Sequence, residues 1–248
     1  MSHLDLMRVF ARALRRTSIP VAYSEGFNPH AEMVFGLPLQ VGVTSSAECL
    51  DIKVCRHVDP EEAAAELSSQ LPAGLAVLNA RERMGKRNIM ASITHAAYAM
   101  EVGYANGRDG GVSEGGGNES RVSEGRRESA LVDAVRAFML APEFVIAKET
   151  KSGMRDTDIR PLVNSLEAQG SSLRMVVRAG SASNLKPDLV LEALNRIAAP
   201  PNVFYRTSLH RVALYIERDG ALTDPLDDCS TPNGVPQRGG GPAEAGKA

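Results

Sequence analysis

Apolar side chains follow two different spacings along the first part of the chain. In some segments they recur every three or four residues, and in others every second residue. The first spacing is typical of a helix with one buried face, and the second of a half-buried strand. In chain order, this pattern predicts a helix at 4–16, strands at 33–36 and 47–55, a helix at 59–71 and a strand at 75–84.

The second part of the chain shows the same two spacings in a different order. Its first segment, ASITHAAYAMEVGY, alternates as a strand, and a later helical pattern ends before Pro142. The pattern predicts a strand at 91–104, a helix at 129–140, a strand at 143–149, an antiparallel pair at 158–168 and 171–180, a helix at 186–197 and a strand at 204–217.

These orders predict an α+β protein with two ferredoxin-like units in tandem. We interpret the second part as the β-α-β-β-α-β arrangement of such a unit. The first part has the order α-β-β-α-β, which is the same arrangement without its opening strand. The expected first unit spans 1–90 and the expected second unit spans 91–218.

Two segments contain too few apolar residues to join a core. Residues 103–127 are rich in Gly, Ser and Glu and contain the sequence VSEG twice, so we expect a flexible insertion. Residues 219–248 have the same character and predict a disordered tail.

Composition and charge narrow the class of protein. The 248 residues are 43% apolar and carry a formal charge of −2, so any site for a polyanion must be a local patch. No apolar run approaches the ~20 residues that span a bilayer, and the N-terminus is unlike a signal peptide. Cys49, Cys55 and Cys229 fit neither a disulfide framework nor a zinc site. We therefore expect a cytoplasmic protein without membrane contact, metal or cofactor.

The first helix carries a strong positive charge on one side. When residues 5–16 are wound at about 100° per residue, all the arginines fall within about a third of the circumference, opposite an apolar face. These arginines are Arg8, Arg12, Arg15 and Arg16. Ser2 and Asp5 fit a capping box at the start of this helix. A solvated helix face is one interpretation; an anion site, most plausibly for phosphates, is the interpretation that we favour, because Asp5 is the single acidic neighbour.

A turn-rich segment, AYSEGFNPH, follows the basic helix. It offers stacking surfaces and hydrogen-bonding groups of the kind that recognise single-stranded RNA. The candidate residues are Tyr23, Ser24, Phe27, Asn28 and His30. Alternatively, Tyr23 and Phe27 belong to the core and the rest shapes a turn. His3 and His30 could join Asp5 in a metal or acid–base site, but their spacing is a weak signal.

A second charged cluster lies at 148–160. Lys151 is expected at the tip of a hairpin, and Asp158 and Arg160 on one face of the strand that follows. Arg160, Lys148 and Lys151, joined by Arg206, would extend the basic surface of the first helix. The alternative is an internal ion pair at a sheet edge.

Several segments, in order, resemble the bacterial radical SAM-linked protein family, a domain of unknown function. They are SHLDLMRVFARALRR, AYSEGFNPH, FGLPLQVGV, AECLDIKV, KETKSGMRDTDIRPLV, NLKP and YRTSLH, and they cover about residues 2–217. The family has Pro where Ala31 stands, and its members begin with a strand before SHLD, so either the true start lies upstream or the first sheet lacks an edge. The resemblance marks Ser2, His3, Asp5, Arg8, Arg12, Arg15, Arg16, Tyr23, Ser24, Gly26, Phe27, Asn28, Pro29, His30, Asp158, Arg160 and Arg206.

This resemblance implies a partner in trans. Family members are often fused to a radical SAM protein or encoded beside one, near genes for ribonucleases and ribosomal proteins. Their fold resembles the tandem ferredoxin-like domains of CRISPR RNA-processing proteins. The three cysteines are too far apart to hold the [4Fe–4S] cluster of a radical SAM enzyme, so this chain is not itself that enzyme.

The function that we predict is a non-catalytic module that binds RNA or a ribosomal particle and presents it to a radical SAM protein. No catalytic residue is assigned. One alternative is a protein-interaction subunit without RNA contact. The other is a metal-independent ribonuclease with His3 or His30 as general base.

Overall fold

A computed structural model describes residues 1–83, 87–106, 118–150, 153–198 and 202–227. It combines helices with sheets, so the predicted α+β class is confirmed. Within the described residues, no helix is both long enough and apolar enough to cross a membrane.

The described residues of the first part of the chain form three helices and three short strands. Its elements are α1 (His3–Leu14), β1 (Met33–Phe35), β2 (Thr44–Ser45), β3 (Leu50–Ile52), α2 (Pro60–Ser69) and a short helix α3 (Ile89–Ser92). Strands β1 and β3 pair antiparallel. The predicted strand at 75–84 is wrong for its described residues, since 75–83 adopt no strand.

The second part is built on one long antiparallel sheet. Its elements are β4 (His95–Asn106), α4 (Asn118–Leu140), β5 (Val145–Thr150), β6 (Gly153–Asp158), β7 (Val163–Gln169), β8 (Ser172–Arg178), α5 (Pro187–Ala198), β9 (Asn202–Arg218) and β10 (Ala221–Thr223). The strand order is β10-β9-β4-β8-β7. The opening strand β4 therefore lies in the middle of the sheet, antiparallel to both β8 and β9.

The expected strand at 143–149 does not join this sheet. It becomes β5, which pairs with β6 in a separate two-stranded hairpin. The predicted antiparallel pair forms β7 and β8. The strand-helix-strand-strand-helix-strand order thus runs through β4, α4, β7, β8, α5 and β9, with the hairpin inserted after α4. The description of both parts as ferredoxin-like units stays a prediction.

Two groups of buried side chains stabilise the chain. The larger lies between the long sheet and helices α4 and α5, with Met100, Phe138 and Leu194 fully buried. Burial of such side chains is the main favourable contribution to folding. The smaller joins α1, α2 and the segment between α1 and β1, and consists of Ala13, Leu14, Val21, Ala31 and Leu67.

A buried ion pair connects the two parts of the chain. Strand β2 pairs with β9, and next to this pairing the guanidinium of Arg211, only 3% exposed, donates to both carboxylate oxygens of Glu48 at 2.8 and 2.9 Å. Arg211 also donates to the Tyr98 hydroxyl and to two backbone carbonyls of the loop before β2. These bonds anchor that loop on the long sheet, because a buried guanidinium is stable only when its donors have partners.

The described parts of the predicted insertion and tail form regular elements. Strand β4 continues to Asn106 and α4 begins at Asn118, which leaves 107–117 of the expected insertion outside the described residues. Residues 219–223 form a turn and β10, which pairs with the end of β9. The rest of the expected tail from 228 onward also lies outside the described residues.

Candidate functional site

Helix α1 is fixed at its start by the predicted capping box. The Ser2 hydroxyl accepts from the Asp5 amide at 3.2 Å, and the Ser2 amide donates back to the Asp5 carboxylate. The hydroxyl and amide of Ser2, with the nearby Arg8 charge, lower the pKa of Asp5. The opposite face packs through Phe10, Ala13 and Leu14. The helix therefore presents its charged side to solvent in a defined orientation.

The four arginines on this side are not equivalent. Arg8 pairs with Asp5 at 3.3 Å, and Arg16, beyond the end of the helix, donates to the side chain and the backbone carbonyl of Gln70 at 3.1 and 2.6 Å. Arg12 and Arg15 are exposed, and neither guanidinium has a hydrogen bond or ion pair within the described parts of the chain. The available positive charge is therefore concentrated at the C-terminal end of α1.

The segment 23–30 forms a closed loop. The Ser24 amide donates to the His30 carbonyl, while the Ser24 hydroxyl accepts from the His30 amide and lies 2.8 Å from its Nδ1. Tyr23 and Ala31 form an isolated bridge at the base. Gly26 has a φ of 119°, a conformation that side chains rarely adopt. Ser24 and His30 therefore shape this loop.

Phe27 projects from the tip of this loop, and its side chain is fully exposed. Tyr23, at the base, is 42% exposed, and Asn28 is exposed beside the tip. The alternative that Tyr23 and Phe27 belong to the core is wrong. The large, solvent-exposed ring of Phe27 on this closed loop is available for contact with a planar ligand.

A shared core joins the residues that flank the loop to the apolar face of α1. Ala13 and Leu14 of the helix pack in one cluster with Val21 and Ala31, which flank the loop on either side. The described residues show no hydrogen bond or ring contact between the loop and Arg12 or Arg15. The arginines and the loop therefore belong to the same small unit, and the residues that flank the loop pack against the apolar face of the helix.

The two histidines of the predicted site have separate surroundings. The ring of His3 packs edge-on against the ring of Phe35, with 5.3 Å between the ring centroids. The Nδ1 atom of His3 is buried without a hydrogen-bond partner in the described structure. His30 contacts Ser24. No group of three or more His, Cys, Asp or Glu side chains suited to a metal ion occurs among the residues that the structure describes.

The second charged cluster has structural partners. Asp158 accepts from the amides of Phe144 and Arg160 at 2.8 and 3.0 Å. Arg160 begins a 3-10 turn and is not on the strand as expected, and its guanidinium donates to the carbonyls of Val163 and Met139. This geometry contradicts the expectation that Asp158 and Arg160 share one face of a strand. It also contradicts the alternative that these two residues form an internal ion pair.

The other described members of the expected basic surface have partners outside α1. Arg206 on β9 pairs with Asp188 of α5 at 3.1 Å. Lys151 and the side chain of Lys148 lie outside the described residues. No described hydrogen bond, ion pair or ring contact joins Asp158, Arg160 or Arg206 to α1 or to the loop. We therefore limit the candidate site to the end of α1 and the loop 23–30.

Sequence reasoning missed the residues that connect the two parts. Arg211 follows Leu209 by two positions on a predicted strand, so both side chains face the same side of the sheet. A charged side chain on a buried face needs a partner, and this was the available signal for Arg211. Its partner Glu48 is 163 residues away. The other missed contact is His210, whose ring lies 2.8 and 3.1 Å from the hydroxyls of Thr44 and Ser46.

Comparison with protein families identifies one that covers most of the chain. The family model described as "Uncharacterized protein conserved in bacteria (DUF2344)" matches residues 1–187 of the 248, so the chain belongs to this family. No match was found among the curated proteins.

Proposed function

For this member of a conserved bacterial family, we propose a role as a non-catalytic binding module for RNA or a ribonucleoprotein particle. The module presents its bound substrate to a radical SAM protein in the cytoplasm. The end of α1 and the loop 23–30 form the binding surface. The resemblance of the sequence motifs to radical SAM-linked proteins supports the choice of partner, and the geometry of the site supports the choice of ligand.

The observation that carries this proposal is the pair of arginines without internal partners. All four arginines are exposed, but Arg8 and Arg16 bind neighbouring groups, whereas the guanidinium groups of Arg12 and Arg15 have no partner among the described residues. Guanidinium groups bind phosphate oxygens through charge-assisted, bidentate hydrogen bonds. A chain with a net charge of −2 attracts RNA through such a local patch.

The exposed ring of Phe27 adds a second mode of contact. Every nucleobase has a face that stacks on an aromatic ring, which contributes about 1–3 kcal/mol per base. The loop is closed by Ser24 and His30, so little conformational entropy is lost when a base stacks on the ring. Phosphate contacts at α1 and one stacked base at the loop suit a short single-stranded segment.

We assign the radical SAM reaction to another polypeptide. A radical SAM cluster needs three closely spaced cysteines, whereas those of this chain are at positions 49, 55 and 229. The ribonuclease alternative has less support, because His3 packs on Phe35 and His30 is bonded within its own loop.

Replacing Phe27 tests the stacking contact. We expect Phe27→Ala to weaken binding of a fluorescently labelled single-stranded RNA, measured by anisotropy, by roughly 5- to 150-fold, the equivalent of about 1–3 kcal/mol. Phe27→Tyr should retain the affinity because it keeps the ring. Val41→Ala is the matched control, since Val41 is 70% exposed on a different loop.

Two outcomes would contradict the proposal. One is that the unmodified chain does not bind single-stranded RNA. The other is that Phe27→Ala binds RNA as tightly as Val41→Ala while both variants remain folded. Arg and aromatic side chains are also enriched at protein interfaces, so loss of a protein partner without any RNA binding would favour the interaction-subunit alternative.

A further inference from the structure

A cavity of about 320 Å³ opens at one end of the long sheet, a size at the lower end of the range for small-ligand sites. The start of β4 and the ends of β8 and β9 meet there, because β4 is antiparallel to both of the other strands. Helix α3 and the loop 179–184, which follows β8, form the remaining walls. None of the described residues that line this cavity belongs to α1 or to the loop 23–30. The cavity is therefore separate from the proposed RNA surface.

The loop 179–184 is closed at its base. The Ala179 amide donates to the Thr94 carbonyl, and the Leu185 amide donates back to the Arg178 carbonyl, both at 2.9 Å. Leu185 is also buried in the larger core. The chain therefore leaves β8 and returns to its end at fixed points, and the residues between these points are held at the cavity.

The tip of this loop carries donors without partners in the described structure. Gly180 has a φ of 128°, and a Cβ on it would collide with the carbonyl oxygen of Ile93, so glycine is needed where the loop passes the segment before β4. Ser181, Ala182 and Ser183 follow. Neither their amides nor the two serine hydroxyls have a hydrogen-bond partner among the described residues. Successive amides in such a turn form a concave surface that binds anions.

The charged side chains of the cavity are mainly basic. Arg178 donates through Nη1 to the Glu217 carboxylate at 2.6 Å, while its Nε and Nη2 have no hydrogen-bond partner among the described residues. The exposed guanidinium of Arg87 has neither a hydrogen bond nor an ion pair in the described parts of the chain. Arg218 also lines the cavity. Three positive charges face one negative charge, so the cavity attracts anions.

The donors come from three different elements of the fold. Arg178 and Arg218 lie at the strand ends, Arg87 precedes α3, and the serines lie on the loop. A carboxylate is planar, and one guanidinium satisfies both of its oxygens. A phosphomonoester has three terminal oxygens and a charge of about −1.5 to −2 at pH 7. Donors from several elements therefore suit a phosphomonoester better than a carboxylate.

We propose that this cavity binds the terminal phosphate of a phosphomonoester. Arg87, Arg178 and the loop tip at 181–183 hold the phosphate. Ile93 and Ile216 line the apolar remainder of the cavity, which accommodates the group that carries the phosphate. This group belongs either to a free small molecule or to the phosphorylated end of an RNA strand, since both present the same phosphate chemistry. The site does not rest on RNA binding at α1.

Chemical shifts of the loop amides in the full chain test this proposal. The probes are methyl phosphate, a monoester, and dimethyl phosphate, a diester, at a pH above the second pKa of the monoester, which is about 6. Methyl phosphate should shift the amide resonances of Ser181, Ala182 and Ser183 in a saturable manner. Dimethyl phosphate should bind at least about tenfold more weakly, because it has one charge fewer and two terminal oxygens instead of three.

Two arginine variants locate the binding site. Arg87→Gln removes a charged donor and should weaken the binding of methyl phosphate about tenfold. Arg56→Gln is the matched control, because Arg56 is also exposed and without a partner among the described residues but lies outside the cavity. Ser181→Asp places a negative charge on the loop and should abolish binding. The dispersion of the same spectra checks that each variant is folded.

Nucleotide ligands distinguish the two sources of the phosphate. They are added to the double variant Arg12→Ala, Arg15→Ala, so that these two arginines of α1 do not contribute. A 5′-phosphorylated pentanucleotide that binds more tightly than uridine 5′-monophosphate identifies the end of an RNA strand. Equal or weaker binding of the pentanucleotide identifies a free small molecule. The same pentanucleotide with a 5′-hydroxyl should leave the loop amides unchanged.

Three results would overturn the proposal. The first is that methyl phosphate causes no saturable shift of the loop amides. The second is that the terminal phosphate is not needed, so that dimethyl phosphate binds equally well or the 5′-hydroxyl pentanucleotide shifts the same amides. The third is that Arg87→Gln binds methyl phosphate as tightly as Arg56→Gln. Methyl phosphate does not report on the surface at α1, so the two proposals fail separately.

Discussion

At the scale of single residues, the site depends on which arginines lack internal partners. The spacing of Arg8, Arg12, Arg15 and Arg16 predicted one charged face, but the sequence could not show that Arg16 bonds with Gln70, 54 residues away. Local spacing predicts which side chains share a face, because helix geometry is regular. Partners from distant segments depend on tertiary packing, so they could not be predicted.

A residue-scale prediction concerns His95, which is 2% exposed on β4. Burial, together with the nearby charge of Arg178, lowers the pKa of His95 below 6.5, and Glu217 opposes this effect. The unfolded chain therefore takes up the proton first as the pH falls below 6.5, and the free energy of unfolding decreases in that range.

Urea unfolding between pH 7 and pH 5 measures this effect. We expect the unmodified chain to lose stability as the pH falls, and His95→Gln to lose less over the same interval. Identical pH dependence in both proteins would contradict the assignment of this loss to His95.

At the scale of elements, the cap of α1 could be predicted from the sequence, whereas strand pairing could be predicted only in part. The capping box of Ser2 and Asp5 was predicted from two nearby residues. The segment at 75–83 has a strand pattern but forms no strand, because none of the described strands pairs with it. A strand needs a partner that the local pattern does not contain. Arg160 shows the same limit, since β6 ends at Asp158 and β7, which corresponds to the expected strand at 158–168, begins only at Val163.

An element-scale prediction concerns the start of α1. Ser2→Ala removes the hydroxyl that accepts from the Asp5 amide, so we expect the free energy of unfolding to fall by about 1 kcal/mol. Chemical denaturation measures the change. Ser181→Ala, on an exposed loop, should change stability by less than about 0.5 kcal/mol. Equal stabilities of the two variants would contradict the role of the cap.

At the scale of the whole molecule, the two parts are connected through β9. Strand β2 pairs with β9, and Arg211 binds Glu48 from the first part. The α+β class and most elements of the second part followed from local patterns. The connection between the two parts could not be predicted from local patterns, because it joins residues more than 160 positions apart. One of them, Arg211, is also a charged side chain in an apolar strand.

Breaking this connection should destabilise the chain. Glu48→Ala leaves the buried guanidinium of Arg211 without its carboxylate, and we expect the free energy of unfolding to fall by about 3 kcal/mol. Asp133→Ala is the control, since Asp133 pairs with Arg136 on an exposed helix face and should matter little. If the two variants lose the same stability, the buried pair does not have this structural role.

The salt dependence of RNA binding tests the central claim most directly. The logarithm of the association constant for a single-stranded RNA is plotted against the logarithm of the salt concentration, for the unmodified chain and for the double variant Arg12→Ala, Arg15→Ala. Each phosphate contact with single-stranded RNA contributes about 0.7 to the slope, so the double variant should have a slope about 1.4 shallower. Arg136→Ala, on α4, should leave the slope unchanged. A slope that is the same in the double variant, or binding that does not depend on salt, would contradict the proposed RNA surface.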